Sequence, residues 1–157
     1  MKDIQFNNGN KCFNSRVCGV CVKDNKILLS KLRTDKYWKF IGGKVEFNED
    51  INHAILREYK EETGASLQID KLLGFIENFF DTQDSSMHQY IFFYQLKDEN
   101  NALELFDDER EMDDNKNGIY KWFKLSDIND IPIRPECFKD IFLNKSEGIQ
   151  HYINREN

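Results

Sequence analysis

Long hydrophobic runs are missing from this 157-residue chain: no stretch approaches the roughly 20 apolar residues that span a bilayer as a helix. The opening segment, MKDIQFNNGNKCF, also lacks the apolar core of a secretory signal. Positive charge is scarce. Lysine and arginine number 22 against 28 acidic residues, a net charge of −6. A general nucleic-acid binder would want a basic face, so that class is disfavoured. Cys12, Cys18, Cys21 and Cys137 follow no disulfide framework. Cys18 and Cys21 spell C-x-x-C, but within an alternating strand their odd separation puts them on opposite faces, away from any shared metal. They are expected to be reduced thiols in a cytoplasmic protein. Neither repeats nor linkers divide the chain, so one domain over 1–157 is expected, with its core at about 16–143.

What is present is concentrated between Trp38 and Ala65, WKFIGGKVEFNEDINHAILREYKEETGA. The second half predicts one short helix, with Asp50 as its N-terminal cap and Gly64 as its stop. At about 100° per residue, Ile51, Ala54 and Ile55 share a face that Glu58, Glu61 and Glu62 continue. Asn52, His53 and Lys60 lie off that stripe and supply a wet side. A solvated acidic face is the bland explanation of a glutamate-rich helix. Against it, three inward carboxylates repel one another, and each costs several kcal/mol if buried unpaired. A divalent cation removes that cost. Hard oxygen ligands at i, i+3 and i+4 suit magnesium or manganese, which keep waters and recruit substrate phosphates.

The same residues spell G-x5-E-x7-R-E-U-x-E-E-x-G-U, where U is bulky or apolar: Gly43, Glu49, Arg57, Glu58, Tyr59, Glu61, Glu62, Gly64 and Ala65. In this the chain resembles the Nudix (MutT-like) hydrolases. Tyr59 and Ala65 stand where larger aliphatic residues are commoner. The family usually has Leu-Pro-Gly-Gly before the helix, whereas this chain has Phe40-Ile41-Gly42-Gly43. Ile41 in place of proline frees one backbone torsion and restores an amide.

Around this motif the chain alternates strand and loop. Residues up to about Asn14 read as a loose polar lead-in with Phe6 or Phe13 tucked against the body. Arg16 to Val22 and Lys26 to Lys31 form a hairpin about Asp24-Asn25, and Trp38 to Ile41 is a short strand. Leu67 to Phe80 is extended with a bend or bulge at Gly74, Asp81 to Met87 turns, and His88 to Leu96 returns. Asp98 to Asn117 reads as a mobile acidic loop anchored by Leu103, Leu105 and Phe106, with a protein-interaction surface as its alternative use. Ile119 to Phe123 is a strand, Ser126 caps a short turn, and a last helix covers about Glu136 to Asn144.

What the resemblance implies is an α+β architecture, an α/β/α sandwich around a mixed sheet. It implies an enzyme of Mg2+ or Mn2+ that hydrolyses a nucleoside diphosphate linked to another moiety. Glu58, Glu61 and Glu62 would hold metal, joined by a carbonyl of Gly42 or Gly43. Arg57 would orient the carboxylates, and Glu49 would reach Arg57 or the metal. The general base stays open among Glu58, Glu62 and the acidic loop, where Glu104, Glu109 and Glu111 are candidates for a further carboxylate. From the residues themselves, Arg33 and Lys44 are candidate phosphate contacts. Phe79, Phe80, His88 and Tyr90 are candidates for a base-stacking pocket, with ordinary core packing as the alternative. The partner expected is a small nucleotide, with no membrane and no general nucleic-acid binding, and a homodimer is compatible with the family. The runner-up from a different class is a catalytically silent nucleotide sensor on the same fold.

Overall fold

The structure is a computed structural model that describes residues 2–144 and 146–156. Among them nine strands form a mixed sheet: β1 (Gln5–Asn8), β2 (Lys11–Lys23), β3 (Lys26–Leu32), β4 (Lys39–Lys44), β5 (Gln68–Asp81), β6 (Ser86–Lys97), β7 (Arg110–Glu111), β8 (Gly118–Lys124) and β9 (Gln150–Arg155). Their order is β7-β8-β3-β4-β2-β6-β5-β9, with β1 hydrogen-bonded to β2. The long β2 runs parallel to β6, and β5 parallel to β9. The remaining pairs are antiparallel. Alternation along β2 sends Val17 and Cys21 to one face and Cys18 and Val20 to the other. Helix α1 (Ile51–Thr63) covers the first face with Ala54, Ile55 and Tyr59. Helix α2 (Cys137–Leu143) covers the second with Phe138 and Ile141. The expected sandwich is therefore present, and the two C-x-x-C thiols do lie on opposite faces.

Local chemistry fixes α1. Asp50 Oδ1 accepts from the amides of Asn52 and His53, each at 3.0 Å, which satisfies two of the first turn's free donors. Gly64 closes the helix at φ +73°, its amide donating to the Lys60 carbonyl. Asp50→Ala removes the cap, an expected loss of about 1 kcal/mol. A thermal melt should fall by about 2–4 °C for a chain of this size.

Three expectations are corrected. The lead-in is a hairpin: β1 pairs with β2 from Gln5↔Asn14 to Asn8↔Lys11, turning at Gly9 with φ +59°. Phe13 packs edge-on against His88 and Tyr90, and this anchors what the polar composition concealed. The acidic segment is held by more than its expected anchors. Those anchors are present, Leu103 buried and Leu105 and Phe106 against the α1-side core. Asp98 accepts from the amides of Ala102 and Leu103 and pairs with Lys23 at 3.1 Å. The short β7 lies within this segment. Ser126 makes no capping bond to the 3-10 turn at Leu125–Asp130 and donates to Asp127 instead. Beyond α2, β9 adds a strand that the chain's pattern did not announce. The bulge near Gly74 is confirmed by a register shift between Leu72 and Gly74. No helix among the described residues is long and apolar enough to cross a membrane, which says nothing of β-barrels.

Candidate active site

Helix α1 presents its charged face to the β4 loop, and Arg57 organises what gathers there. Its Nε and Nη2 donate to the two oxygens of Glu49 at 2.7 and 2.8 Å, a bidentate pair. Nη1 donates to Glu58 at 2.8 Å and Glu61 at 3.2 Å, and Nη2 also reaches the Lys44 carbonyl at 3.1 Å. One guanidinium thus ties three motif glutamates to the loop. Glu49 also accepts from the Glu46 amide, and the Arg57 bond holds its carboxyl below the usual range. The same carboxylates hold Arg57 above its ordinary value.

Glu58, Glu61 and Glu62 do not share one degree of burial. Glu61 stands at the rim with its side chain 49% exposed. Tyr59 takes the inward place beside the apolar stripe, its hydroxyl donating to the Gly19 carbonyl at 3.1 Å. Glu62 is 7% exposed, and its Oε2 is sealed without a hydrogen-bond partner among the described residues. Burial, then the charges of Glu58 and Asp114, push its carboxyl up to about 8, while the nearby Gly42 amide and Arg16 act the other way. Burial also raises Glu58, offset by its bond to Arg57. Among the described residues no three His, Cys, Asp or Glu side chains already form a ligating set, and Arg57 is paired with both Glu58 and Glu61. The donor set nevertheless fits a hard divalent cation: beside Glu58, whose carboxyl is raised by burial despite its bond to Arg57, Glu62 keeps one oxygen sealed with no partner among the described residues.

The two loop glycines set how close this face comes. A Cβ on Gly42 would collide with the Val17 carbonyl, and one on Gly43 with the Glu58 carboxylate. Gly42→Ala meets backbone that cannot swing aside. Its expected cost is about 2–3 kcal/mol, in line with overpacking elsewhere, read as a shift in the urea midpoint at unchanged slope.

Several expected residues stand elsewhere. Lys44 pairs with Asp3 at 3.0 Å. Arg33 faces Glu111 at 3.6 Å and Glu104 pairs with Arg110 at 2.7 Å; Glu109 is exposed. Within the acidic segment the charge that bears on Glu62 is that of Asp114, four residues before Gly118, with the neighbouring Asp113 amide donating to the Glu62 carbonyl at 3.0 Å. The run Asp113-Asp114 was visible in the sequence, but only the path of the chain singles it out. Phe79 stacks on His88 at 4.3 Å. With Phe80 they line a hollow of about 500 Å³ that touches no motif residue. Tyr90 packs edge-on to Phe13 and His88 outside it.

A second hollow, about 370 Å³, reaches Gly42, the loop glycine just before the motif. Arg16, Tyr37, Asn78, Phe80, Gln89 and Arg134 line it, among others. Except for Phe80, these residues drew no attention in the sequence, since strands and loops far apart in the chain bring them together. Arg134 lies over the Tyr37 ring at 4.6 Å and near Glu156 at 3.4 Å. Arg16 forms no ion pair among the described residues, and its charge is felt by both Glu58 and Glu62. An unneutralised guanidinium between a cavity and a carboxylate cluster is suited to a phosphate oxygen.

The profile of the NUDIX domain matches residues 13–141. An uncharacterised Nudix hydrolase of Bacillus subtilis is 26% identical over 129 residues, 82% of this chain and 77% of that protein. An ADP-ribose pyrophosphatase of Methanocaldococcus jannaschii is 43% identical over 61 residues, 37% of this chain and only 36% of that protein. Among solved structures, a mutator MutT protein from Bacillus halodurans superposes with a TM-score of 0.65 at 22% identity, covering 89% of this chain and 90% of the other. That likeness bears on the fold alone.

Proposed function

This chain belongs to the Nudix family, and on that premise we propose that it hydrolyses the diphosphate link of a nucleoside diphosphate joined to another group, using Mg2+ or Mn2+. Glu58, Glu61 and Glu62 would hold the metal, with a carbonyl of Gly42 or Gly43 available to complete its shell. The observation that carries this reading is Glu62, a buried carboxyl with one oxygen sealed and unpartnered. Such a group is costly to keep unless something positive meets it. The pyrophosphatase name of the archaeal relative supports a diphosphate-linked substrate.

Bound there, a divalent cation supplies charge relief on the non-bridging phosphate oxygens and acidifies water. The protein's own share is positional. Arg57 aligns Glu58 and Glu61 through charge-assisted bonds, and Glu49 holds Arg57 rather than metal. The guanidinium is engaged on every nitrogen, so it is a positioning residue and leaves phosphate contact to Arg16. A proton must leave the attacking water, and the carboxylates of Glu58 and Glu62 are the candidates to take it. Each carboxyl is raised by burial in the metal-free protein. The test is release of product from a panel of oxidised nucleoside triphosphates, ADP-ribose, dinucleoside polyphosphates and nucleotide sugars. Turnover of one class with magnesium or manganese, stopped by EDTA, is expected. Binding without turnover under every metal would mark a nucleotide sensor instead.

A further inference from the structure

The cavity beside Gly42 has a floor of amides that no metal or phosphate chemistry requires. Across four adjacent strands, Asn14 of β2 lies in register with Gln89 of β6, Gln89 with Asn78 of β5, and Asn78 with Asn154 of β9. Three of these side chains are chained in one direction. Asn154 Nδ2 donates to Asn78 Oδ1 at 2.8 Å, and Asn78 Nδ2 donates to Gln89 Oε1 at 3.0 Å. Asn78 and Gln89 are both buried, at 4% and 8% exposure, and both line the cavity.

The chain of bonds settles which end of Gln89 is left over. Its oxygen is occupied, while its nitrogen donates to no acceptor among the described residues. The neighbouring Asn14 Oδ1 is sealed without a partner among the described residues. A polar row present only to hold strands together would have joined that spare acceptor to that spare donor. A sealed acceptor such as Asn14 Oδ1 is an exception in folded proteins and calls for a role, while the Gln89 amide nitrogen is left open to the cavity. The cavity therefore meets a ligand with amide N–H groups whose orientation is fixed from behind. The aromatic side chains of Tyr37 and Phe80 line the same cavity.

We propose that Gln89 is a specificity-determining residue that selects a nucleobase with a carbonyl at purine position 6 or pyrimidine position 4, of the guanine, hypoxanthine or uracil type, over one with an amine at that position. This rests on the diphosphate-hydrolase reading for the location of the site, with the phosphates towards Arg16 and the base over Gln89. A carbonyl oxygen accepts from the Gln89 amide. An amine at the same place sets donor against donor and leaves both unpaired, the arrangement by which a site built for one hydrogen bond rejects the analogue lacking it. Asn78 and Asn154 act through Gln89 by preventing its amide from turning over.

Inosine and adenosine monophosphates are the probes, since they differ at position 6 of one purine, and their affinities can be measured by calorimetry with magnesium whether or not the protein turns anything over. The wild-type chain is expected to bind inosine monophosphate at least about tenfold more tightly, the effect of one discriminating hydrogen bond. Gln89→Glu, near-isosteric but offering only acceptors once ionised, is expected to reverse or abolish the preference. Asn78→Ala frees the Gln89 amide to turn and is expected to reduce the ratio while sparing Gln89 itself. Equal wild-type affinities would overturn the proposal without any variant having to fold. A preference unchanged in a folded Gln89→Glu protein would overturn it too. A chain that discriminates but hydrolyses nothing would keep Gln89 and lose the hydrolase reading. One that hydrolyses both base types alike would do the reverse.

Discussion

Glu62→Gln is expected to lower turnover by roughly 10²–10⁴-fold, the range lost when a positioned acid or base is removed, while the fold survives. The amide keeps the shape and loses the charge, so a loss of rate at unchanged far-ultraviolet dichroism isolates the charge. A second effect runs in the opposite direction and appears in the protein without metal. The Glu62 carboxyl binds its proton up to about pH 8 in the folded state, but only to about 4.3 in an unfolded chain. Between those values the folded state carries one more proton than the unfolded state. Stability therefore falls as pH rises through that window, by at most about 1.4 kcal/mol per pH unit. The amide of the Glu62→Gln variant has no such proton to lose. The metal-free variant should be the more stable protein near pH 8, and the slope of its urea midpoint against pH should be flatter between 5 and 8. An equal slope in both proteins would remove Glu62 as the buried acid.

Arg57→Gln should produce the second large effect. Its side chain is 24% exposed and carries three carboxylate partners and the Lys44 carbonyl. Losing one member of a buried pair costs about 3–5 kcal/mol. Partial exposure here reduces the expectation to about 2–3 kcal/mol. Activity should fall by about 10–100-fold through misplacement of Glu58 and Glu61, as for other groups that orient metal ligands. The distinguishing readout is metal demand: with Glu58 and Glu61 no longer held in alignment, the metal concentration needed for half-maximal rate should rise. Arg57→Lys should restore part of the stability and little of the alignment, because an ammonium cannot reproduce the bidentate grip on Glu49. A variant with normal metal demand would reduce Arg57 to a structural tie.

Helix α1 and its caps were legible from local chemistry, since Asp50, Gly64 and the apolar stripe act within a few residues of one another. The Nudix resemblance rested on the same stretch. Periodicity did not separate the three glutamates, however. It placed Glu61 and Glu62 on one stripe, although Tyr59 fills the inward position and leaves Glu61 at the rim. The partners of distant residues were out of reach. Lys44 meets Asp3, and Arg33 meets Glu111, because strand pairing rather than spacing brings them together. The acidic segment was read by composition, and composition cannot tell a solvated carboxylate from Asp114, whose charge bears on Glu62. The amide row shows the same limit. Asn14, Asn78, Gln89 and Asn154 acquire a common meaning only when β2, β6, β5 and β9 lie side by side.

The most direct test of the central claim is a manganese titration followed by paramagnetic resonance of the free ion, on the wild-type chain and on Glu62→Gln at about pH 8.5, half a unit above the Glu62 value of about 8. There the wild-type carboxyl is largely ionised and little proton competition remains. The account predicts saturable binding by the wild-type protein and at least about tenfold weaker binding by the variant. Equal affinity in the two proteins, or no binding to the wild type, would contradict the assignment of Glu62 as the carboxylate that holds the metal.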